Sequence, residues 1–188
     1  LDALASCRPI WSEAGLRPRI EHVQLLAPAD LPRLAQLGVI ASMQPIHATS
    51  DWLMAEAYWG ERCAGAYAWR SLLRAGTRLA FGSDCPVETL DPLAGIHAVV
   101  TRQRPDGSPP GGWRAGERLT VHEAVHAYTR GAAHAAGEEG LKGGLAPGMV
   151  GDLVVLSEDI FRVSPRNLLQ TRVLATVCGG RLVYSAGG

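Results

Sequence analysis

Polar and apolar positions change in blocks along the first hundred residues, where short strand-like runs are separated by stretches with apolar residues at helical spacing. The last two runs are stopped by Pro45 and Gly82. Short runs ended by Pro or Gly predict buried strands. Strands that alternate with helices in this way predict right-handed parallel crossovers, and therefore an α/β fold. The predicted strands cover 19–23, 39–43 and 78–81.

The stretches between the strands predict helices with recognisable ends. Asp30 is suited to cap one helix and Gly38 to end it, while Thr120 and Glu123 form the pattern of a capping box. The residues from 44 to about 60 are predicted to be a long loop. The predicted helices cover 1–15, 29–37, 64–75, 91–102 and 120–133.

After Gly143 the pattern changes from helical to strand-like. Three apolar runs follow, at 152–156, 173–178 and 181–185. The last two are separated only by Gly179-Gly180, a two-residue connection that is typical of a β-hairpin. We therefore predict two regions, an α/β region at 1–142 and a small all-β element at 143–188.

Each predicted parallel strand runs into a side chain that can bind a metal ion or a substrate. His22 ends the first strand, Gln44 and His47 come just past the second, and Asp84 lies beyond the third. Barrel enzymes built from parallel strands carry their chemistry at the carboxyl ends of those strands. The candidate site is therefore formed by these four side chains.

The balance of charged residues limits the kinds of molecule that we expect the protein to bind. The chain has 188 residues, of which 18 are basic and 18 acidic, and no block of Lys or Arg stands out. A nucleic acid or an anionic membrane would call for such a block, so we predict neither and expect a small neutral substrate. No apolar stretch approaches the roughly 18 residues of a membrane span.

The four cysteines are widely separated and form no Cys-x-x-Cys pair, which argues against a zinc knuckle and a secreted disulfide framework. We therefore expect a soluble protein of the reducing cytoplasm. Only Cys85 lies near the candidate site, and we interpret it as a small strand-end filler in preference to a nucleophile. Leu1 falls inside a helical pattern, which predicts that the chain is part of a longer protein.

A competing motif lies at His122-Glu123-Ala124-Val125-His126, which matches the H-E-x-x-H pattern of zinc proteases. Thr129 and Ala132 stand where the metzincin pattern has Gly and a third His. The apolar face of the helix leaves both histidines off its core-facing side. We therefore favour solvated helix-face histidines over a protease site.

Several motifs together resemble one family over nearly the whole chain. They are Arg-Ile-Glu-His at 19–22, Ser-Met-Gln-Pro at 42–45 followed by His47 and Asp51, Leu-Ala-Phe-Gly-Ser-Asp at 79–84, Ala-Tyr-Thr at 127–129 and Gly-Asp-Leu-Val-Val-Leu at 151–156. With them the chain resembles the C-terminal part of the amidohydrolase superfamily. The resemblance is closest to the amidohydrolase-3 branch of metal-dependent hydrolases, which includes N-substituted formamide deformylase.

The resemblance implies the C-terminal portion of a distorted (β/α)8 TIM-type barrel, with three strand–helix units in 1–142, followed by a small β-sandwich element. It implies that His22 is a metal ligand, and that Asp84 both contacts the metal, expected to be Zn²⁺, and takes a proton from the attacking water. Gln44 and His47 are candidates to hydrogen-bond the substrate carbonyl or its oxyanion, and a plain polar loop contact is an equal alternative for them.

The implied activity is hydrolysis, by metal-activated water, of amide or formamide carbon–nitrogen bonds other than peptide bonds. The superfamily's His-x-His pair, bridging carboxylated lysine or acid, and fifth-strand histidine would all lie upstream of Leu1. Because two ligands rarely hold a catalytic zinc, we expect this chain alone to be inactive. A non-catalytic assembly module is the alternative from another class.

A barrel fragment exposes unpaired strand edges and apolar surface, because parallel strands are normally covered on both faces and at both edges. We therefore expect a homo-oligomer, or association with a complementing N-terminal segment.

Overall fold

Three short strands pair side by side as a parallel sheet in the computed structural model, which describes residues 1–187. The sheet has the order β1-β2-β3, so each strand lies beside its neighbour in sequence. In register, Glu21 is opposite Ser42, and Met43 is opposite Phe81. The three predicted strands are confirmed, with bounds at β1 (Arg19–Glu21), β2 (Ile40–Met43) and β3 (Leu79–Phe81).

Helices connect and surround these strands, which makes the described chain mixed α/β. They are α1 (Asp2–Ser6), α2 (Arg8–Glu13), α3 (Leu31–Leu37), α4 (Pro45–Trp59), α5 (Trp69–Arg74), α6 (Pro92–Thr101), α7 (Val121–His126) and α8 (Ala132–Ala136). Short 3₁₀ segments lie at Pro28–Asp30, Gly60–Gly65, Ala115–Glu117 and Pro165–Gln170. Among residues 1–187, no helix combines the length and the apolar character needed to cross a lipid bilayer.

The long loop predicted after Met43 is wrong, because residues 45–59 form α4, the longest helix in the described chain. Pro45 stops β2 as expected, but it also occupies the first turn of α4. The fixed φ of proline suits that position, and the N–H that proline lacks is not needed in a first turn. The same residue therefore ends one element and begins the next.

Two further predicted helices are shorter than expected. The helix predicted over 1–15 is divided into α1 and α2, because Pro9 cannot donate a backbone hydrogen bond across the junction. The helix predicted over 64–75 begins only at Trp69, since Tyr67 has a left-handed φ of 48° and interrupts any helix before it.

The helix predicted over 120–133 is present, but it has an irregularity at its centre. Thr120 and Glu123 form the predicted capping box at its start. Residues Ala127–Gly131 then form a π-helical turn before α8. A Cβ built on Gly131 would stand 2.1 Å from the carbonyl oxygen of Leu79, so only glycine lets this turn pack so closely on β3.

A buried guanidinium joins the end of α6 to the segment before α5. Arg102 is fully buried, and its side chain donates to the carbonyl oxygens of Trp113 (2.8 Å) and Tyr67 (3.0 Å). Its guanidinium carbon lies 4.3 Å from the centre of the Trp69 ring, in cation–π geometry. Burial lowers the pKa of Arg102 to about 9.

A second, antiparallel sheet follows, with the order β4-β5-β6. Its strands are β4 (Leu153–Leu156), β5 (Val173–Cys178) and β6 (Arg181–Ser185). The predicted hairpin is confirmed, and both Gly179 and Gly180 in its turn have positive φ. Gly188, the last residue of the predicted β region, lies outside the described residues.

We predict that the capping box gives the fold a specific pH dependence. Hydrogen bonding by Arg70 lowers the pKa of Glu123 to about 2. A depressed carboxyl pKa stabilises the fold above the unfolded pKa of about 4.3 and loses this effect as the pH falls towards 2. Glu123→Gln should therefore lower the free energy of unfolding by about 2 kcal/mol at neutral pH, and by progressively less below pH about 4.

Urea denaturation at a series of pH values measures this difference between wild type and variant. The matched control is Glu158→Gln, which changes an exposed carboxylate that makes no ion pair within residues 1–187. A Glu123→Gln difference that stayed constant from pH 7 to pH 3 would contradict the predicted linkage.

Candidate metal centre

His22 and Asp84 leave the parallel sheet at the same edge. The N–H of His22 donates to the carbonyl oxygen of Ser42 at 2.7 Å, which extends the β1–β2 ladder by one residue. His22 then has a φ of 69° and Asp84 a φ of 58°. Left-handed backbone is uncommon outside glycine, although His and Asp adopt it more readily than most residues, and it is concentrated at functional sites. The two turns bring His22 Nδ1 within 4.0 Å of Asp84 Oδ2.

His47 joins this pair from the first turn of α4. Its Nε2 lies 3.9 Å from Asp84 Oδ2, and its ring is stacked on that of His22 with 5.7 Å between centres. One ligand atom from each of His22, His47 and Asp84 lies within 4.8 Å of the others. Within residues 1–187 this is the only such group of three metal-binding side chains.

The buried nitrogen of His47 is the strongest sign that this group fits a cation. The His47 side chain is 8% exposed, and its Nε2 has no hydrogen-bond partner among residues 1–187. An unpartnered buried polar atom is costly, and a bound ion, ligand or water would satisfy it. Two imidazoles and a carboxylate form a donor set that suits Zn²⁺. The residues present therefore fit a divalent metal ion.

Gln44 orients one of these imidazoles. Its Oε1 lies 2.8 Å from His22 Nδ1. An amide oxygen only accepts, so this contact is a hydrogen bond when Nδ1 of His22 carries the hydrogen. Outer hydrogen bonds of this kind fix the tautomer and the orientation of a metal-binding histidine. The structure thus brings all four predicted site residues together and gives Gln44 a contact with His22 that the sequence did not suggest.

Behind this group lies a hydrogen-bonded set that the sequence analysis missed. Tyr67 donates from its hydroxyl to Asp51 Oδ2 at 2.5 Å, and Gln24 donates to the same oxygen at 3.3 Å. Burial, reinforced by the neighbouring carboxylate, raises the pKa of Tyr67 well above its ordinary value. Asp51 follows His47 by four residues, and this helical spacing was hidden by the prediction of a loop there.

The H-E-x-x-H helix shows no comparable arrangement. His122 and His126 are exposed, as predicted, and His122 packs against the ring of Phe161 at 4.3 Å between centres. Both carboxylate oxygens of Glu123 are held by Arg70. The two histidines line a cavity of about 710 Å³ beside Arg78, at the end of β3 opposite to Asp84. Nothing in this geometry favours a protease site.

Known proteins that are similar to this chain indicate its family. The sequence profile of the amidohydrolase family matches residues 1–184. The chain is 33% identical to the putative amidohydrolase YtcJ of Bacillus subtilis, over 90% of this chain and 32% of that protein. It is 30% identical to the N-substituted formamide deformylase of Arthrobacter pascens, over 100% of this chain and 34% of that protein. The chain thus spans about a third of the length of these relatives.

Two solved structures share the fold. An uncharacterised metal-dependent hydrolase from Pyrococcus horikoshii superposes with a TM-score of 0.72 and 29% identity, over 87% of this chain and 33% of that chain. A mutant of the atrazine chlorohydrolase TrzN from Arthrobacter aurescens, in complex with zinc and atraton, superposes with a TM-score of 0.63 and 21% identity. That match covers 89% of this chain and 36% of the other.

We predict that the group formed by His22, His47 and Asp84 binds Zn²⁺. His47→Ala should weaken Zn²⁺ binding by at least about tenfold, a loss that follows even from removing outer partners of metal ligands. Isothermal titration calorimetry of the 188-residue chain with Zn²⁺ measures the dissociation constant.

The matched control is His126→Ala, which removes an exposed imidazole from the H-E-x-x-H helix. This variant should bind Zn²⁺ as the wild type does. Weaker binding by His126→Ala, with His47→Ala unaffected, would move the metal site to the helix and refute the proposed centre.

Proposed function

Because this chain belongs to the amidohydrolase family, we propose that it supplies the C-terminal part of an active site that hydrolyses amide or formamide bonds other than peptide bonds. The observation that carries the proposal is the convergence of His22, His47 and Asp84 at one edge of the parallel sheet. The curated relatives are about three times as long as this chain, so we assign the reaction to a polypeptide of their length.

The residues that would hold the metal are His22, His47 and Asp84. A divalent ion bound there, which we propose to be Zn²⁺, would lower the pKa of a bound water and polarise the substrate carbonyl. We place His47 in this set because its buried Nε2 otherwise lacks a partner. Gln44 holds His22 through Oε1, which leaves its amide N–H groups to donate to the substrate carbonyl oxygen.

Asp84 is the residue that we propose to move the proton. Its carboxylate is 39% exposed, faces both imidazoles, and is within reach of water entering from the open side of the site. As the water oxygen bonds to the carbonyl carbon, the carboxylate takes a water proton, and it passes this proton to the nitrogen when the carbon–nitrogen bond breaks.

The substrate class is a small-molecule amide, in keeping with the balanced charge of the chain.

We further propose that β1, β2 and β3 are strands of a (β/α)8 barrel in residues 1–142, and that residues 143–187 belong to a flanking β-sandwich. The parallel order of the first sheet and the antiparallel order of the second support this division. We also propose a cytoplasmic location, because the four widely separated cysteines of the sequence do not form the pattern of a secreted disulfide framework.

We expect the isolated chain to self-associate or to bind a complementing segment. Within the described residues, β1 and β3 each have a neighbour on one side only, and Leu182 and Val183 on the edge strand β6 are 64% and 61% exposed. Unpaired edges and exposed apolar side chains favour association. Size-exclusion chromatography with light scattering should return a mass above that of one chain, and a stable monomer would contradict the expectation.

A chimera tests the proposed reaction. Residues 1–188 would replace the matching third of the Arthrobacter pascens enzyme, and hydrolysis of an N-substituted formamide would be followed. We expect turnover by the chimera and none by the isolated chain. Asp84→Asn should lower kcat of the chimera by about 10²–10⁴-fold, the usual contribution of a proton-transferring group.

His126→Ala in the same chimera is the control and should leave kcat unchanged. A folded chimera that binds Zn²⁺ but shows no turnover would favour the non-catalytic assembly module over the hydrolase. Turnover that survives Asp84→Asn would refute the role given to that carboxylate.

A further inference from the structure

The two histidines of the candidate metal centre lie on two separate segments of the chain. We call residues 22–26 the first arm and α4 the second arm. His22 stands where β1 leaves the sheet, and both His22 and Val23 have positive φ, at 69° and 41°. His47 stands on α4, which begins after β2 has ended. Sheet hydrogen bonds end at these points, so the spacing between the two imidazoles depends on contacts beyond the strands.

The first arm is held by a short antiparallel bridge. The N–H of Tyr67 donates to the carbonyl oxygen of Gln24, and the N–H of Leu26 donates to that of Gly65, each at 3.0 Å. Leu25 pairs with Ala66 between these two bonds. The segment that follows His22 is thereby fixed to the segment that contains Tyr67.

The second arm is fixed to the same tyrosine through its side chain. The Tyr67 hydroxyl donates to Asp51, which lies one helical turn beyond His47 on α4. The Gln24 amide completes the set, with its nitrogen 3.3 Å from Asp51 Oδ2 and 3.1 Å from the Tyr67 hydroxyl oxygen. We name these three residues the Gln24–Asp51–Tyr67 cluster. It touches both arms at once.

Tyr67 is itself immobilised by the core. It is 1% exposed, and its carbonyl oxygen accepts a hydrogen bond from the buried Arg102. Its ring packs against those of Trp113 and Trp69, with 5.9 Å and 6.4 Å between centres. The raised pKa keeps its hydroxyl protonated at neutral pH, so it can donate to Asp51.

We propose that Tyr67 is a positioning residue, which fixes the spacing of the His22 and His47 imidazoles for metal binding through its hydrogen bonds to Gln24 and Asp51. The inference rests on the proposed function, because it assumes that these imidazoles bind a divalent ion. Tyr67 itself contacts neither imidazole.

Tyr67→Phe tests the inference, because it removes the hydroxyl and keeps the buried ring. We expect the Zn²⁺ dissociation constant of the 188-residue chain to rise by up to about tenfold, the low end of the range for direct outer partners of metal ligands, because Tyr67 acts one contact further out. The matched control is Tyr128→Phe, which makes the same change in another largely buried tyrosine, one that packs on Phe81. The control should leave Zn²⁺ affinity unchanged.

A second readout does not depend on metal. Imidazole ¹⁵N and proton NMR signals of the apo chain report on the stacking and the tautomers of His22 and His47, and Tyr67→Phe should shift them while Tyr128→Phe does not. A purely structural role would lower the free energy of unfolding without moving these signals or the Zn²⁺ affinity. If Tyr67→Phe folds poorly, Asp51→Asn provides the same test, since the amide still accepts from Tyr67 but more weakly than the carboxylate.

The outcomes separate the two proposals. Zn²⁺ binding that is unchanged by Tyr67→Phe and Asp51→Asn would overturn the positioning role and leave the metal centre in place. A wild-type chain that binds no Zn²⁺ would overturn the metal centre. In that case the role of Tyr67 in metal binding is overturned with it, and the imidazole signals decide only whether Tyr67 sets the spacing of the two rings.

Discussion

Parallel pairing of β1, β2 and β3 in one register is the constraint on which the candidate site depends. Glu21 lies opposite Ser42 and Met43 lies opposite Phe81, so the strands end almost level. Side chains alternate between the faces of a strand, and a slip of one residue would turn each of them to the opposite face. β2 and β3 are buried at all but one position, so a slip would draw buried apolar side chains out of the core or bring the exposed Arg78 into it. Packing of apolar residues therefore determines where His22 and Asp84 meet.

The sequence was sufficient where structure follows from local chemistry. The position of each strand along the chain, the hairpin at Gly179-Gly180, and the cap formed by Thr120 and Glu123 depend on residues within a few positions of each other. Parallel strand ends meet at a shared edge in any such sheet, which is why His22 and Asp84 could be paired before the structure was known. The structure brings these two side chains together, and their role in a metal site stays a prediction.

The sequence did not predict the structure correctly where one residue is compatible with two kinds of element. It also failed where two residues in contact are far apart along the chain. Pro45 is compatible with the end of a strand and with the start of a helix, and the wrong choice hid the helical spacing of His47 and Asp51. Tyr67 adopts a left-handed φ that no local rule assigns to tyrosine, and it meets Asp51 from 16 residues away. Only the packed core reveals that these groups lie behind the candidate metal centre.

The core and the site are connected by a continuous series of contacts. Arg102 lies against Trp69 and bonds the Tyr67 carbonyl, Tyr67 bonds Asp51, and Asp51 lies one turn from His47 on α4. Within residues 1–187 the buried guanidinium of Arg102 makes no ion pair, so its burial carries a desolvation cost, which the ring face and the carbonyl groups offset. The contacts of Tyr67 therefore connect this packing to α4 through Asp51. The position of the buried His47 nitrogen beside Asp84 depends in this way on packing several residues away from the sheet edge.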